Sequence, residues 1–210
     1  MMAGFYFYFS SCLLLLLALN WRTSTGLPVR TERGAEKCAE CALLFKDLLL
    51  NITELRNRTD LLCFGILTAE MEMSQADTVL ACAPNLAQNS GCMMETNSSF
   101  SESECMRNIM KDLAYYAAVI ESYLSSTLRS RGEEVPHLSP TLGVIQSLRK
   151  NCSLMPDGED EPSEVDTAQM WSNDSFSNRQ KMCKIMKGFH VRTITINRAI
   201  GYIASGEHRE

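Results

Sequence analysis

The residues of this 210-residue chain best suited to chemistry are its nine cysteines and three histidines. Cys38-Ala-Glu-Cys41 has the spacing of a zinc-binding pair or a redox dithiol. A tetrahedral zinc site built this way needs a second such pair, and no other Cys-x-x-Cys occurs. His137, His190 and His208 are scattered, without metal-ligand spacing. The chain contains no Gly-x-Ser-x-Gly, His-Glu-x-x-His, phosphate loop or dinucleotide fingerprint. The reading is of a protein that is not an enzyme and carries no cofactor or metal, with cysteines in structural use.

A second kind of chemistry, that of surface recognition, gathers near the end of the chain. On a helix, Gly188, Val191, Thr195, Arg198 and Tyr202 share one side, with Arg192 at its margin. Between Lys187 and Gly206 there is no acid and no lysine. A solvated face is normally rich in Lys, Glu and Gln. Arginine and tyrosine on an otherwise uncharged face have the composition of a protein interface instead.

The remaining chain sets the context for both. Phe5 to Leu19 is a nearly unbroken apolar run, shorter than the roughly 20 residues a bilayer-spanning helix needs, and Thr23-Ser24-Thr25-Gly26 follows at once. This is the layout of a cleaved secretory signal peptide over residues 1–25, with cleavage between Arg22 and Leu27. Cys12 leaves with it, and an even set of eight cysteines remains, as expected of disulfides in a secreted chain. Asn-x-Ser/Thr sequons at Asn51, Asn57, Asn97, Asn151 and Asn173 predict N-glycosylation. The Asn151 sequon, with Cys152 at its centre, is the least favourable of the five. No later segment is apolar enough to span a membrane, which predicts a secreted protein without membrane insertion. The net charge of −5 argues against nucleic acid, and the acids concentrated between Asp157 and Asp166 read as a solvated loop.

Four helices position these groups within a domain expected over residues 36–205. The first runs from about Glu36 to Leu55 with Leu43, Leu44, Leu48 and Leu55 inward. A long connection, broken by Gly65, Pro84 and Gly91, carries three cysteines able to fasten it. The second helix, Glu104 to about Arg129, has the apolar stripe Ile109, Leu113, Tyr116, Ile120, Tyr123, Leu124 and Leu128, and is ended by Gly132 and Pro136. The third spans Pro140 to about Lys150. The last runs from Ser177 or Asn178 to about Ala204, with Met182, Ile185, Met186, Phe189, Ile196, Ile200 and Ile203 on one side. Val191 to Ile196 alternates like a strand, but the helical period extends far beyond those six residues and prevails. A long first connection and a fairly long third one predict an all-α four-helix bundle, up-up-down-down with two crossover connections, as in haematopoietic cytokines.

At this point a resemblance enters. CKIMKGFHVRTITINRAIGYIAS, from Cys183, resembles the final helix of the interleukin-12 alpha subunits: a Cys, an aromatic, then Arg-x-x-Thr-Ile-x-Arg-x-x-x-Tyr. DTVLACAP (Asp77 to Pro84) and CMRNIMKDLAYY (Cys105 to Tyr116) resemble the same family. The likeness covers the chain from Cys38 onward, strongest in the second and fourth helices, and its departures from the mammalian pattern are those of a divergent, non-mammalian-looking member. It implies a long-chain four-helix cytokine that pairs with a beta subunit of immunoglobulin-like and fibronectin-like domains. The implied heterodimer bridges receptor chains and drives kinase–STAT signalling and type 1, interferon-gamma responses. The family's arginine that enters an acidic pocket of the beta subunit matches Arg198, and Arg192, Thr195 and Tyr202 match neighbouring contact positions. An aromatic that touches the signalling receptor matches Phe176, where the family commonly has Tyr. The resemblance further implies Cys63–Cys183, Cys82–Cys105, and Cys92 with Cys38 or Cys41. Cys92 also matches a family cysteine that bonds covalently to the beta subunit. Cys152 and one of Cys38 and Cys41 are additional, and in an up-up-down-down bundle those two can meet. The other reading is a saposin-like lipid-binding module, whose opening KCAECALLFKDLLLN resembles, although Cys152 and Cys183 do not form the closely spaced cysteine set such a module needs near its end.

Overall fold

The computed structural model describes residues 32–58, 61–63, 65–66, 70–83, 100–152, 167 and 169–205. Residues 1–25, Cys92, Asn97 and the acidic loop lie outside them. Two compact units divide the chain, Met1–Glu36 and Lys37–Glu210, and the helical bundle is the second. Among the described residues the secondary structure is all helical: α1 (Glu32–Asn57), a single turn α2 (Thr78–Ala81), α3 (Glu102–Ser125), α4 (Arg131–Cys152) and α5 (Ser175–Ser205). None of these helices is long and apolar enough to cross a membrane.

α3 forms the spine of the core. Its start is capped by Ser101, whose hydroxyl accepts from the Glu104 amide, with Glu102 and Glu104 favourably placed in the first turn. Ile109, Leu113, Tyr116, Ile120 and Tyr123 are completely buried along one stripe, each such side chain contributing roughly 1.5–3 kcal/mol by burial. On α5, Met182, Ile185, Met186, Phe189, Ile196, Ile200 and Ile203 are all buried, and the Phe189 ring stacks on Tyr116 at 3.8 Å. Val191 to Ile196 is helical throughout.

Two boundaries differ from the sequence reading for a shared reason. α3 ends at Ser125, where the Ser126 hydroxyl and amide both donate to the Tyr123 carbonyl. Gly132 and Pro136 do not terminate it. They lie inside α4, which starts near Ser130 because the Glu134 carboxylate reaches back to accept the Ser130 amide at 2.8 Å. Pro136 and Pro140 cannot donate to the carbonyls of Gly132 and Pro136. All three residues sit on the exposed side of α4, where an unpaired carbonyl costs little. The opposite side buries Glu134, Leu138, Thr141, Ile145, Leu148 and Cys152. On α1 the inward set is Phe45, Leu48, Ile52 and Leu55, while Leu43 is 66% exposed. Leu48 and Leu55 are therefore inward as expected and Leu44 packs partly buried against the core, whereas Leu43 is out and Phe45 and Ile52 complete the face.

Among the described residues three disulfides close the bundle and reveal its path. Cys41, early in α1, joins Cys152 at the end of α4. Cys63, just beyond α1, joins Cys183 in the early turns of α5. Cys82 joins Cys105 at the start of α3. If α1 runs up, α4 must end at the bottom and α5 must begin at the top, so both descend. The short 126–130 loop places the end of α3 beside the start of α4, so α3 runs up. The order is up-up-down-down, with the helix ends joined by the α1–α3 and the α4–α5 connections at opposite ends of the bundle.

Candidate interaction surfaces

The lower half of α5 presents Val191, Thr195, Arg198 and Tyr202 at i, i+4, i+7 and i+11, one outward stripe. Val191 and Arg198 are exposed, and Thr195 and Tyr202 are half-buried. The Tyr202 ring is held edge-on by Phe100, with centroids 5.3 Å apart. On its other side the helix is anchored to α1, where the Asn197 side chain donates to the Phe45 carbonyl at 3.0 Å. Arg56 of α1 contacts His190 Nδ1 at 3.4 Å. Burial first, and the Arg56 charge second, push the His190 pKa down, so its imidazole stays neutral at neutral pH. With Arg56 donating to Nδ1, the ring proton sits on Nε2.

Two residues expected on the outward stripe are elsewhere. Gly188 lies beneath the chain segment that follows Cys63, and a methyl there would overlap the Glu72 carbonyl. That segment straps α5 through the Glu72 amide, which donates to the Lys184 carbonyl at 3.1 Å, and through a Glu70–Lys184 ion pair. Arg192 is only 4% exposed and faces α3, so it does not belong to an outer interface. It stands one residue from Val191 but at i+3 from Phe189 and i−4 from Ile196, which turns it inward. Its Nε lies 3.4 Å from Asp112 Oδ2, and its Nη2 donates to the Ser74 carbonyl at 3.4 Å.

Asp112 is the residue that the sequence reading passed over. It sits within the α3 stripe, between Ile109 and Tyr116, and is fully buried. Ser74 and Thr78 donate their hydroxyls to its two oxygens, and the Tyr116 hydroxyl accepts the Ser74 amide at 3.4 Å. Burial pushes the Asp112 carboxyl above its usual range, while the two hydroxyls and Arg192 pull it back. The signal in the sequence was an acid on an apolar helix face, paired with an arginine on another. This cluster pins the first crossover between α3 and α5.

The upper end of α5 forms a second surface. Asp174 caps it, accepting from the amides of Phe176 and Ser177 and from the Ser177 hydroxyl at 3.2, 2.9 and 2.6 Å. These bonds, the Ser177 hydroxyl foremost, hold the Asp174 carboxyl below its usual range. Phe176 is 48% exposed. Behind it, the Trp171 indole donates to Ser122 at 2.6 Å and packs edge-on against Tyr123, whose hydroxyl donates to Glu134.

Of the sequons, Asn57, Asn151 and Asn173 are exposed, whereas Asn51 is half-buried and donates to the Asp47 carbonyl at 2.9 Å. Cys41 is joined to Cys152, so of the two intrachain alternatives for Cys92, Cys38 and Cys41, the second is excluded. Cys152 and Cys183 each bridge to a distant helix or connection, which is not a saposin-like cysteine frame. Among the described residues no group of three or more His, Cys, Asp and Glu side chains could hold a metal ion.

A family model described as interleukin-12 alpha subunit matches residues 7–206. The chain belongs to the interleukin-12 alpha subunit family. Among the relatives of this family, interleukin-12 subunit alpha of Marmota monax is 23% identical over 214 residues, covering 90% of each chain. That of Capra hircus is 25% identical over 201 residues, covering 86% of this chain and 88% of the other. An interleukin-12 alpha chain is a cytokine subunit.

Proposed function

We propose that this chain is the alpha subunit of a secreted, N-glycosylated heterodimeric cytokine. Residues 1–25 serve as the signal peptide and residues 36–205 as the cytokine domain. The Val191, Thr195, Arg198 and Tyr202 stripe binds a beta subunit of immunoglobulin-like and fibronectin-like domains, with Arg198 entering an acidic pocket. The heterodimer then bridges receptor chains, contacting the signalling chain through Phe176, and activates kinase–STAT signalling towards type 1, interferon-gamma responses. Cys92 pairs with Cys38 or with the beta subunit.

The observation that carries this reading is the exposed guanidinium of Arg198 on a helix face without acid or lysine. Five donors in a fixed fork suit a carboxylate pocket, and the Phe100-braced Tyr202 offers a rigid apolar neighbour. The word subunit in the relatives' names supports assembly with a second chain. The test is co-expression with beta subunits of the interleukin-12 family. Arg198→Ala is expected to abolish co-purification while the alpha chain is still secreted folded. Normal co-purification of the variant would refute the assignment. Non-reducing gels of the wild-type product report whether the pair is covalent.

A further inference from the structure

Phe176 is an exposed aromatic whose surroundings are unusually fixed. Its amide is held by the Asp174 carboxylate at 3.2 Å. Asn178, one helical position beyond Ser177 and only 2% exposed, closes the preceding turn. It accepts from the Ser172 amide at 2.8 Å and donates to the carbonyls of Ser172 and Thr127 at 2.9 and 3.3 Å, which ties the turn to the end of α3. The backbone of Phe176 is thus set from both sides, but none of these bonds fixes the ring.

Among the described residues, the ring itself meets a cation. The Arg179 guanidinium carbon lies 5.5 Å from the Phe176 centroid, three residues along the same helix. Arg179 is 6% exposed, so a buried cation faces a half-exposed ring. A cation at this distance is attracted by the negative face of an aromatic ring, and more strongly where water is excluded. The attraction favours the ring orientation that turns one face to the guanidinium and leaves the other side outward.

We infer that Arg179 is a positioning residue for recognition at Phe176, holding the ring ready for a receptor chain by a cation–π contact beneath it. The inference rests on the reading of Phe176 as a receptor contact. A side chain ordered in advance loses less rotamer freedom on binding, so the contribution of Arg179 appears in receptor affinity although it does not itself reach the surface.

The test uses the purified heterodimer and the immobilised soluble ectodomain of the signalling receptor chain. Phe176→Ala is expected to weaken binding about tenfold or more, Arg179→Met about three- to tenfold, and Arg179→Lys to recover most of that loss, because lysine keeps the cation. The double variant Phe176→Ala with Arg179→Met is expected to bind no worse than Phe176→Ala alone, since an absent ring cannot be positioned. Co-secretion with the beta subunit serves as the folding control for every variant. Unchanged binding by Phe176→Ala overturns the receptor-contact reading itself. Weakened binding by Phe176→Ala with unchanged binding by Arg179→Met overturns the inference alone, as does a double variant whose losses simply add. If Arg179→Met is not secreted, Arg179→Gln and Arg179→Lys carry the comparison, and equal binding by those two overturns the cation's role.

Discussion

At the scale of single residues, two arginines six positions apart on one helix have opposite fates. Arg192 is enclosed with Asp112, Ser74 and Thr78, whereas Arg198 stands in solvent. Removing one partner of a buried pair leaves the other charge uncompensated, so Arg192→Ala is expected to cost about 3–5 kcal/mol in denaturant unfolding. Arg198→Ala should change the same measurement by about 0.5 kcal/mol or less, because an exposed side chain away from packing contributes little. Equal effects from the two would contradict this division. Both arginines are visible in the motif, and their separate roles are not. Helical spacing sets position 192 beside Phe189 and Ile196 on the inner side, but the carboxylate that receives it there belongs to a different helix.

At the scale of elements, glycines and caps give the sharpest expectations. Gly188 admits the strap that carries Glu72, so Gly188→Ala should destabilise the fold by about 1–3 kcal/mol through overpacking. Gly143 is helical too, but a methyl there would meet nothing, and Gly143→Ala should raise stability by about 0.5–1 kcal/mol. A thermal unfolding series on the pair reads the contrast directly. The Asp174 cap should be pH-dependent. Its carboxyl is held below the usual range in the folded chain, so the stabilisation is complete above the unfolded carboxyl's pKa and fades as pH falls through the folded one. The stability difference between wild type and Asp174→Ala should therefore be full near neutrality and vanish in strong acid. The periodicity of α3 and α5 was legible because their buried stripes are long and regular. The start of α4 was not, because Gly132 and Pro136 are strong breakers locally and only the buried Glu134, holding Tyr123 and the Ser130 amide, overrides them.

At the scale of the whole molecule, the disulfides act on topology. Cys41–Cys152 spans 111 residues and ties the start of α1 to the end of α4. Constraining so long a loop in the unfolded chain predicts that Cys41→Ser with Cys152→Ser lowers stability by about 2–5 kcal/mol, measured against the wild type under non-reducing conditions. A change below about 1 kcal/mol would mean the bridge adds nothing to a bundle already held by its core. The sequence by itself determined the helical class, the number of long helices and their order, since apolar periodicity and connection length are local and additive along the chain. It also marked Arg198, because the absence of acids and lysines around it is a property of composition. Tertiary structure alone decided which of Cys38 and Cys41 meets Cys152, where α4 begins, and that Asp112 is the carboxylate Arg192 meets. Each of these depends on a partner supplied by a distant part of the chain, and neither spacing nor propensity carries that information.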